Sequence, residues 1–302
     1  MNPITSILAR LSQGNPRQDY ESLLPVFPQG ERIPKHVWRI FITQYAEVPL
    51  PEIALNTERV LRDLNPEYEI TMVDNKFIES FIRENYGDLM WNYYLRIDPC
   101  YGAARADFLR YLLLYKEGGV YTDLKVTVSK PLREAIRDSD KLLLSHWDNL
   151  QGEEHEGWGH LRGLESVARG EYIMGVIVVV PGHPFLREVI LEVMRNIDTY
   201  NPYRHNTGFL GTLWLTGPVT YTLIAKRMQK EGALSEELGN WREVSFVHDL
   251  GIVYTVTNLR GLSNYRSNVV PIVPAKNSLV AICNRSYFQF LGWYRRQILK
   301  QG

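Results

Sequence analysis

The segment Arg105–Val126, RADFLRYLLLYKEGGVYTDLKV, constrains the fold more than any other part of the chain. Gly102–Lys116 has the apolar density of a core helix, and Gly118-Gly119 ends it. Val120–Val126 then reads as a strand. A helix that returns through two glycines into an apolar strand is the unit from which sheets covered by helices are built. Asp107 and Arg110 lie three positions apart and share a helix face. Asp123 falls at the end of the apolar strand, and open α/β sheets bind ligands beyond the carboxyl ends of their strands. A carboxylate placed there can take a divalent cation, or the hydroxyls of a ribose or sugar. Strand alternation puts Lys125 on the same side as Asp123, facing the same cleft.

The rest of the chain repeats this grammar. Ile33–Ile42 reads as the first core strand, Pro49–Asp63 as an amphipathic helix stopped by Asn65-Pro66, and Tyr68–Val73 as a strand. Asp74 is placed to cap a helix over Lys76–Asn85. Lys141–Ser145 and Val176–Val180 read as strands. Pro184–Ile197 and Pro218–Gln229 read as helices, the second with Thr216 as its cap. The fold class is therefore α/β, a mainly parallel central sheet with helices on both faces. Residues 1–30 form an N-terminal extension in which Ile4, Ile7, Leu8 and Leu11 have helical spacing. Residues 31–302 form one domain, with 246–302 as its edge and lid.

Lys plus Arg and Asp plus Glu both number 34, so the chain lacks the basic balance of a nucleic-acid binder. Cys100 and Cys283 are too few for a disulfide framework and read as reduced, buried thiols. No run reaches the roughly 18 apolar residues of a membrane span. The N-terminal apolar run is too short for a signal peptide. The expected location is the cytoplasm, with peripheral membrane contact, or the Golgi lumen if the chain is a trimmed piece. His146, His155 and His160 stand among acidic residues in Ser145–Tyr172, but their spacing matches no compact zinc pattern. That polar, aromatic stretch reads instead as a flexible acceptor-binding loop. Ser286–Gln297, SYFQFLGWYRRQ, is open to three readings: a terminal helix packed on the core, a lid, or an interfacial membrane segment.

Asp107, Arg110, Gly118, Gly119, Tyr121 and Asp123, in that order and spacing, resemble the core of the retaining glycosyltransferases with a DXD sugar-binding motif. That group includes the yeast-type initiating α-1,6-mannosyltransferases, with the clostridial glucosylating toxins as more distant kin. Ile33-Pro34-Lys35 with Trp38, Asn65–Tyr68, Pro181–Phe185 and Thr216-Gly217-Pro218 resemble further segments of the same family. The resemblance covers about residues 33–225, with an aromatic end at Trp293. It implies a GT-A-type nucleotide-binding fold, a GDP- or UDP-linked hexose as donor, and a glycan or glycolipid as acceptor. It further implies a donor site made from Trp38, Asp107, Arg110, Tyr121, Asp123, Thr216 and Trp293, with Asp123 and Lys125 at the reacting end.

The family's second motif Asp, a ligand of Mn²⁺ or Mg²⁺, is replaced here by Lys125, which leaves Asp123 as the one motif carboxylate for a metal. An ammonium cannot ligate a cation. Either Lys125 supplies the positive charge that the ion would bring to a leaving diphosphate, or the chain binds sugar nucleotides or glycans without turning them over. A nucleotidyltransferase is disfavoured, because no glycine-rich phosphate loop follows Ile33–Ile42.

Overall fold

The structure is a computed structural model that describes residues 19–42, 49–255 and 268–298. The helical spacing of Ile4–Leu11 and the segment Thr43–Tyr45 lie outside the described residues. The strands are β1 His36–Ile40, β2 Glu69–Val73, β3 Gly119–Thr122, β4 Val126–Val128, β5 Leu142–Leu144, β6 Val176–Val179, β7 Arg242–Glu243 and β8 Ile252–Tyr254. The helices are α1 Glu52–Leu64, α2 Asn75–Arg96, α3 Gly102–Glu117, α4 Pro184–Thr199, α5 Pro202–His205, α6 Gly208–Leu215, α7 Pro218–Lys230 and α8 Ser278–Ile298.

Six strands form the central sheet in the order β2-β1-β3-β6-β5-β7. The pairs β1/β2, β1/β3 and β5/β7 are parallel, while β6 runs antiparallel to both β3 and β5. Five strands thus share one direction, and the sheet is mainly parallel, as expected of a GT-A-type fold. β4 and β8 make a separate antiparallel ribbon.

Side-chain alternation divides the core. Trp38, Tyr121, Ile177 and Leu144 point to one face, where α2, α3, α4 and α7 cover them; Val37, Val120, Val178 and Leu143 point to the other. That second face is closed by α1, by the β4/β8 ribbon and by irregular segments that bring in Leu132, Trp147 and Phe246. Helices therefore lie on both faces, four against one. Each fully buried Val, Leu or Ile contributes about 1.5–3 kcal/mol relative to exposure, which makes this two-sided burial the main force holding the sheet.

Several local readings change. α2 continues to Arg96 because the chain turns at Gly87 (φ 79°) and a second helical stretch follows, burying Met90, Tyr93 and Tyr94. Asp74 does cap α2, accepting from the N–H groups of Lys76 and Phe77. Thr216 is not the cap of α7; Gly217 is, and the Thr216 hydroxyl is used elsewhere. Cys283 is exposed on α8 rather than buried, whereas Cys100 is half-buried; both are free thiols. The strand expected over Val120–Val126 ends at Thr122, resumes as β4, and has a turn between.

Candidate active site at the carboxyl end of β3

The turn that follows β3 places the site. The Asp123 N–H donates to the Gly175 carbonyl (2.8 Å), one step beyond the last β3/β6 pair, and the Val126 N–H donates back to the Asp123 carbonyl (2.9 Å). Asp123, Leu124 and Lys125 therefore form a tight turn. The expected strand alternation that would have put Lys125 beside Asp123 does not exist, because strand geometry stops one residue before it is needed. Lys125 is half-buried in this turn, and its carbonyl accepts from the Thr255 N–H (3.0 Å).

Arg39, the fourth of the five residues of β1, holds the turn through its side chain. Its side chain is fully buried and donates to the carbonyls of Leu124 (2.9 Å), Asp123 (3.3 Å) and Ala54 (2.9 Å), and to the Thr57 hydroxyl (2.8 Å). A buried guanidinium is tolerated only with acceptors around it, and here they are mostly main-chain carbonyls. Sequence reasoning missed this residue. The one signal was a cation inside the apolar run VWRIF.

Above the turn, α3 supplies Asp107 and Arg110 from its second and third turns. Arg110 Nη2 lies 3.0 Å from Asp107 Oδ1 and 3.4 Å from Asp123 Oδ1, and Nη1 donates to the Met174 carbonyl (2.6 Å). The guanidinium sits over the Tyr121 ring at 4.3 Å, and the Tyr121 hydroxyl donates to Asp123 Oδ1 (2.7 Å). The Thr216 hydroxyl donates to Asp107 Oδ2 (3.0 Å), and its carbonyl accepts from the Tyr111 hydroxyl (2.8 Å). Residues from three separate segments thus meet on one guanidinium, and Thr216 joins them through Asp107. Asp107 and Arg110 are buried; the Asp123 side chain, 36% exposed, is the carboxylate that reaches outward. Gly175 keeps that carboxylate uncrowded, since a Cβ there would come within 3.1 Å of Asp123 Oδ2.

Burial opposes the charge on Arg110, but the Tyr121 oxygen and the two carboxylates outweigh it and hold the guanidinium firmly cationic. Burial pushes Asp107 up to about 6, with Arg110 and Thr216 pulling the other way and Asp123 adding to the rise. This is the expected state of two carboxylates that share one cation behind a solvent-facing acceptor.

The residues fit a protein-held divalent cation poorly. Among the described residues no three His, Cys, Asp or Glu side chains converge as ligands. Asp123 Oδ1 is taken by the Tyr121 hydroxyl and faces Arg110, and a lysine stands where a second motif carboxylate would be.

Of the seven donor-site residues expected from sequence, five meet here: Asp107, Arg110, Tyr121, Asp123 and Thr216. Trp38 is next to Tyr121 across the β1/β3 pair, but its indole N–H is committed to the Gly118 carbonyl (2.9 Å) and its ring stacks on His36 (3.7 Å). Trp293 stands half-exposed on α8 with its ring 6.0 Å from Phe290, and is not brought to the cluster.

Ser145–Tyr172, expected as a flexible acceptor-binding loop, is a packed one. Trp147 lies at its centre, donating to Glu171 Oε1 (2.7 Å), with the rings of His155, Trp158, Phe246 and Tyr254 between 5.0 and 5.5 Å away. His146 stacks on Tyr172 at 4.0 Å. His146 and His155 join this aromatic cluster, whereas His160 is exposed. Burial pushes Glu171 up to about 7, against the hydrogen bond from Trp147. Trp158 remains 40% exposed at the rim, and Tyr254 pairs with Val126, directly after the Asp123–Lys125 turn. A cavity of about 440 Å³ lies between Arg162, Arg204, Trp214 and Leu215, but it contains none of Asp107, Arg110 and Asp123. The site is located by its converging side chains rather than by this cavity.

Fold and site define an α/β protein with an outward-facing carboxylate at the carboxyl end of a central strand. Residues 51–143, from α1 through β5, match the family described as the glycosyltransferase sugar-binding region containing DXD motif, and the segment holds Asp107, Arg110, Tyr121 and Asp123. The initiation-specific α-1,6-mannosyltransferase of Candida albicans is 28% identical over 181 residues, 55% of this chain and 44% of that protein. Inositol phosphoceramide mannosyltransferase 3 of Schizosaccharomyces pombe is 26% identical over 202 residues, 67% of this chain and 47% of that protein. The chain spans about half the length of these curated relatives. Among solved structures, the PaToxG glycosyltransferase is similar over 71% of this chain and 74% of its own, with 17% identity and a TM-score of 0.45.

Proposed function

We propose that this chain transfers a hexose, mannose by the names of its relatives, from a GDP- or UDP-linked donor to a glycan or glycolipid acceptor, with retention of anomeric configuration. The observation that carries the reading is the Asp123 carboxylate, presented at the carboxyl end of β3 and buttressed by Arg110 and Tyr121. An ionised carboxylate only accepts hydrogen bonds, so it suits the hydroxyls of a ribose or a sugar. Asp107, Arg110 and Thr216 fix its position. In the transfer, the bond from the anomeric carbon to the phosphate oxygen breaks and its electron pair leaves with the nucleoside diphosphate. The acceptor oxygen bonds to the same face of that carbon, and its proton passes to the departing phosphate. Negative charge grows on the diphosphate, and a fixed positive group must meet it. Lys125, two residues beyond Asp123, is the group proposed, with transfer independent of a metal or only weakly dependent on one. Trp158 and Tyr254 form the aromatic wall proposed to receive the apolar face of an acceptor sugar.

The test is a transfer assay with GDP-mannose and a panel of UDP- and GDP-hexoses, with the anomeric configuration of the product read by NMR. An α-linked product from an α-linked donor is expected. Donor binding with neither transfer nor hydrolysis would make the chain a silent sugar-nucleotide binder, and an inverted product would remove the retaining mechanism.

A further inference from the structure

The C-terminal helix α8 has apolar surface in two directions. At 100° per residue, Val280, Asn284, Tyr287, Phe288 and Leu291 share one side. That side packs on α5: the Tyr203 hydroxyl donates to Asn284 Oδ1 (2.8 Å), and the Tyr203 ring lies 5.7 Å from Tyr287 and 5.1 Å from Phe288. Leu279, Ile282, Phe290, Trp293 and Tyr294 fall within an arc of roughly 120° on another side, and each of them is at least half exposed. No other part of the described surface collects large apolar side chains so densely on one element.

The polar residues of α8 say what this second arc meets. Ser278–Ile298 contains three arginines and no Asp or Glu. Arg285 and Arg296 are exposed and project from one border of the open arc; Arg285 lies 3.7 Å from the largely buried Asp98 but its side chain is 57% exposed, so both long basic side chains can reach phosphate headgroups while the apolar residues beside them enter the acyl boundary. Trp293 and Tyr294 are the amphipathic aromatics favoured at the level of the headgroups. No helix among the described residues is long and apolar enough to cross a membrane, so a helix of this composition lies along a bilayer rather than through it. An apolar face on a helix whose own charged side chains are all basic is complementary to an anionic lipid surface.

We propose that α8 is an interfacial helix that lays its open apolar arc into an anionic bilayer surface and holds this protein there peripherally. The proposal is independent of the transferase reading, and so is its test.

The full chain should co-sediment with phosphatidylcholine vesicles containing about 30% phosphatidylserine, and bind at least about fivefold more weakly to phosphatidylcholine alone or at high salt. The triple variant Leu279→Ser, Ile282→Ser, Phe290→Ser should lose about tenfold or more of that binding with its circular dichroism and melting temperature unchanged, because all three side chains already face solvent. Arg285→Glu with Arg296→Glu should lose the preference for the anionic vesicles. Cys283 lies exposed in the same arc, whereas burial pushes the Cys100 thiol up to about 12 and keeps it unreactive, so an environment-sensitive dye reports on Cys283. Its emission should shift to the blue on the anionic vesicles. The proposal fails if the chain does not bind them or if the triple variant binds equally well. It also fails if sedimentation shows a dimer that the triple variant dissociates, for then a second copy covers the arc.

Discussion

Arg110 decides the site, because one buried guanidinium holds the α3 carboxylate, the β3 carboxylate and the Met174 carbonyl together. Arg110→Ala would leave Asp107 buried without its cation, and losses of about 3–5 kcal/mol are typical when one member of a buried pair is removed. The variant should therefore unfold at markedly lower urea, and what remains folded should bind donor more weakly by about 1–3 kcal/mol in calorimetric titration. Native-like stability would show that the pair is not coupled. Lys125 carries a different expectation. If its charge meets the departing diphosphate, turnover survives EDTA, and Lys125→Met lowers kcat about tenfold or more while KM changes little, because the interaction strengthens only as charge develops. Abolition of turnover by EDTA with rescue by Mn²⁺ would contradict this. Asp107, Arg110 and Asp123 were legible in the sequence, since spacing on a helix and position at a strand end are local properties. Arg39 and Gly175 were not. The acceptors of Arg39 come from Ala54, Thr57, Asp123 and Leu124, and the space that Gly175 leaves is measured against a side chain 52 positions away, so only tertiary structure brings them into view.

Elements fix how well that cluster is aimed. The turn from α3 into β3 passes through Gly118 and Gly119, both with positive φ (66° and 100°). A Cβ on Gly119 would stand 2.6 Å from the His36 carbonyl oxygen, inside the β1/β3 pairing that carries Tyr121 and then Asp123. Gly119→Ala should cost about 2 kcal/mol or more in denaturant unfolding, and an unchanged midpoint would show that the turn relaxes freely. The 145–175 segment adds a pH signature. Burial raises Glu171 from an ordinary 4.5 to about 7 in the fold, so its contribution to stability is fully present below the unfolded value and is lost as pH rises through about 7. Glu171→Gln should therefore be more stable than the wild type at pH 8 by roughly 1–3 kcal/mol in urea unfolding, with the gap closing toward pH 5. A gap that widens on acidification would contradict the assignment. Elements with strong periodicity, such as α3, α4 and β6, could be read from sequence. The second half of α2 escaped because Gly87 interrupts its period, and the break after β3 escaped because Asp-Leu-Lys-Val continues an alternating pattern while the backbone turns back.

At the scale of the molecule, a sheet with five strands in one direction opens its carboxyl ends where β3 delivers Asp123, within the segment 51–143 that matches the family model. The mainly parallel class followed from alternating strand and helix signals. The antiparallel β6 did not, because a short apolar run such as VIVVV carries no direction of its own. The account rests on Asp123 being the carboxylate that meets the donor. The most direct measurement is hexosyl transfer by Asp123→Ala against wild type, with the donor that the wild type turns over best and circular dichroism recorded on the same samples. Asp123 is the outward-facing member of its cluster, so the variant should keep its spectrum and lose transfer by about a hundredfold or more. A folded Asp123→Ala protein with near-native turnover would contradict the account.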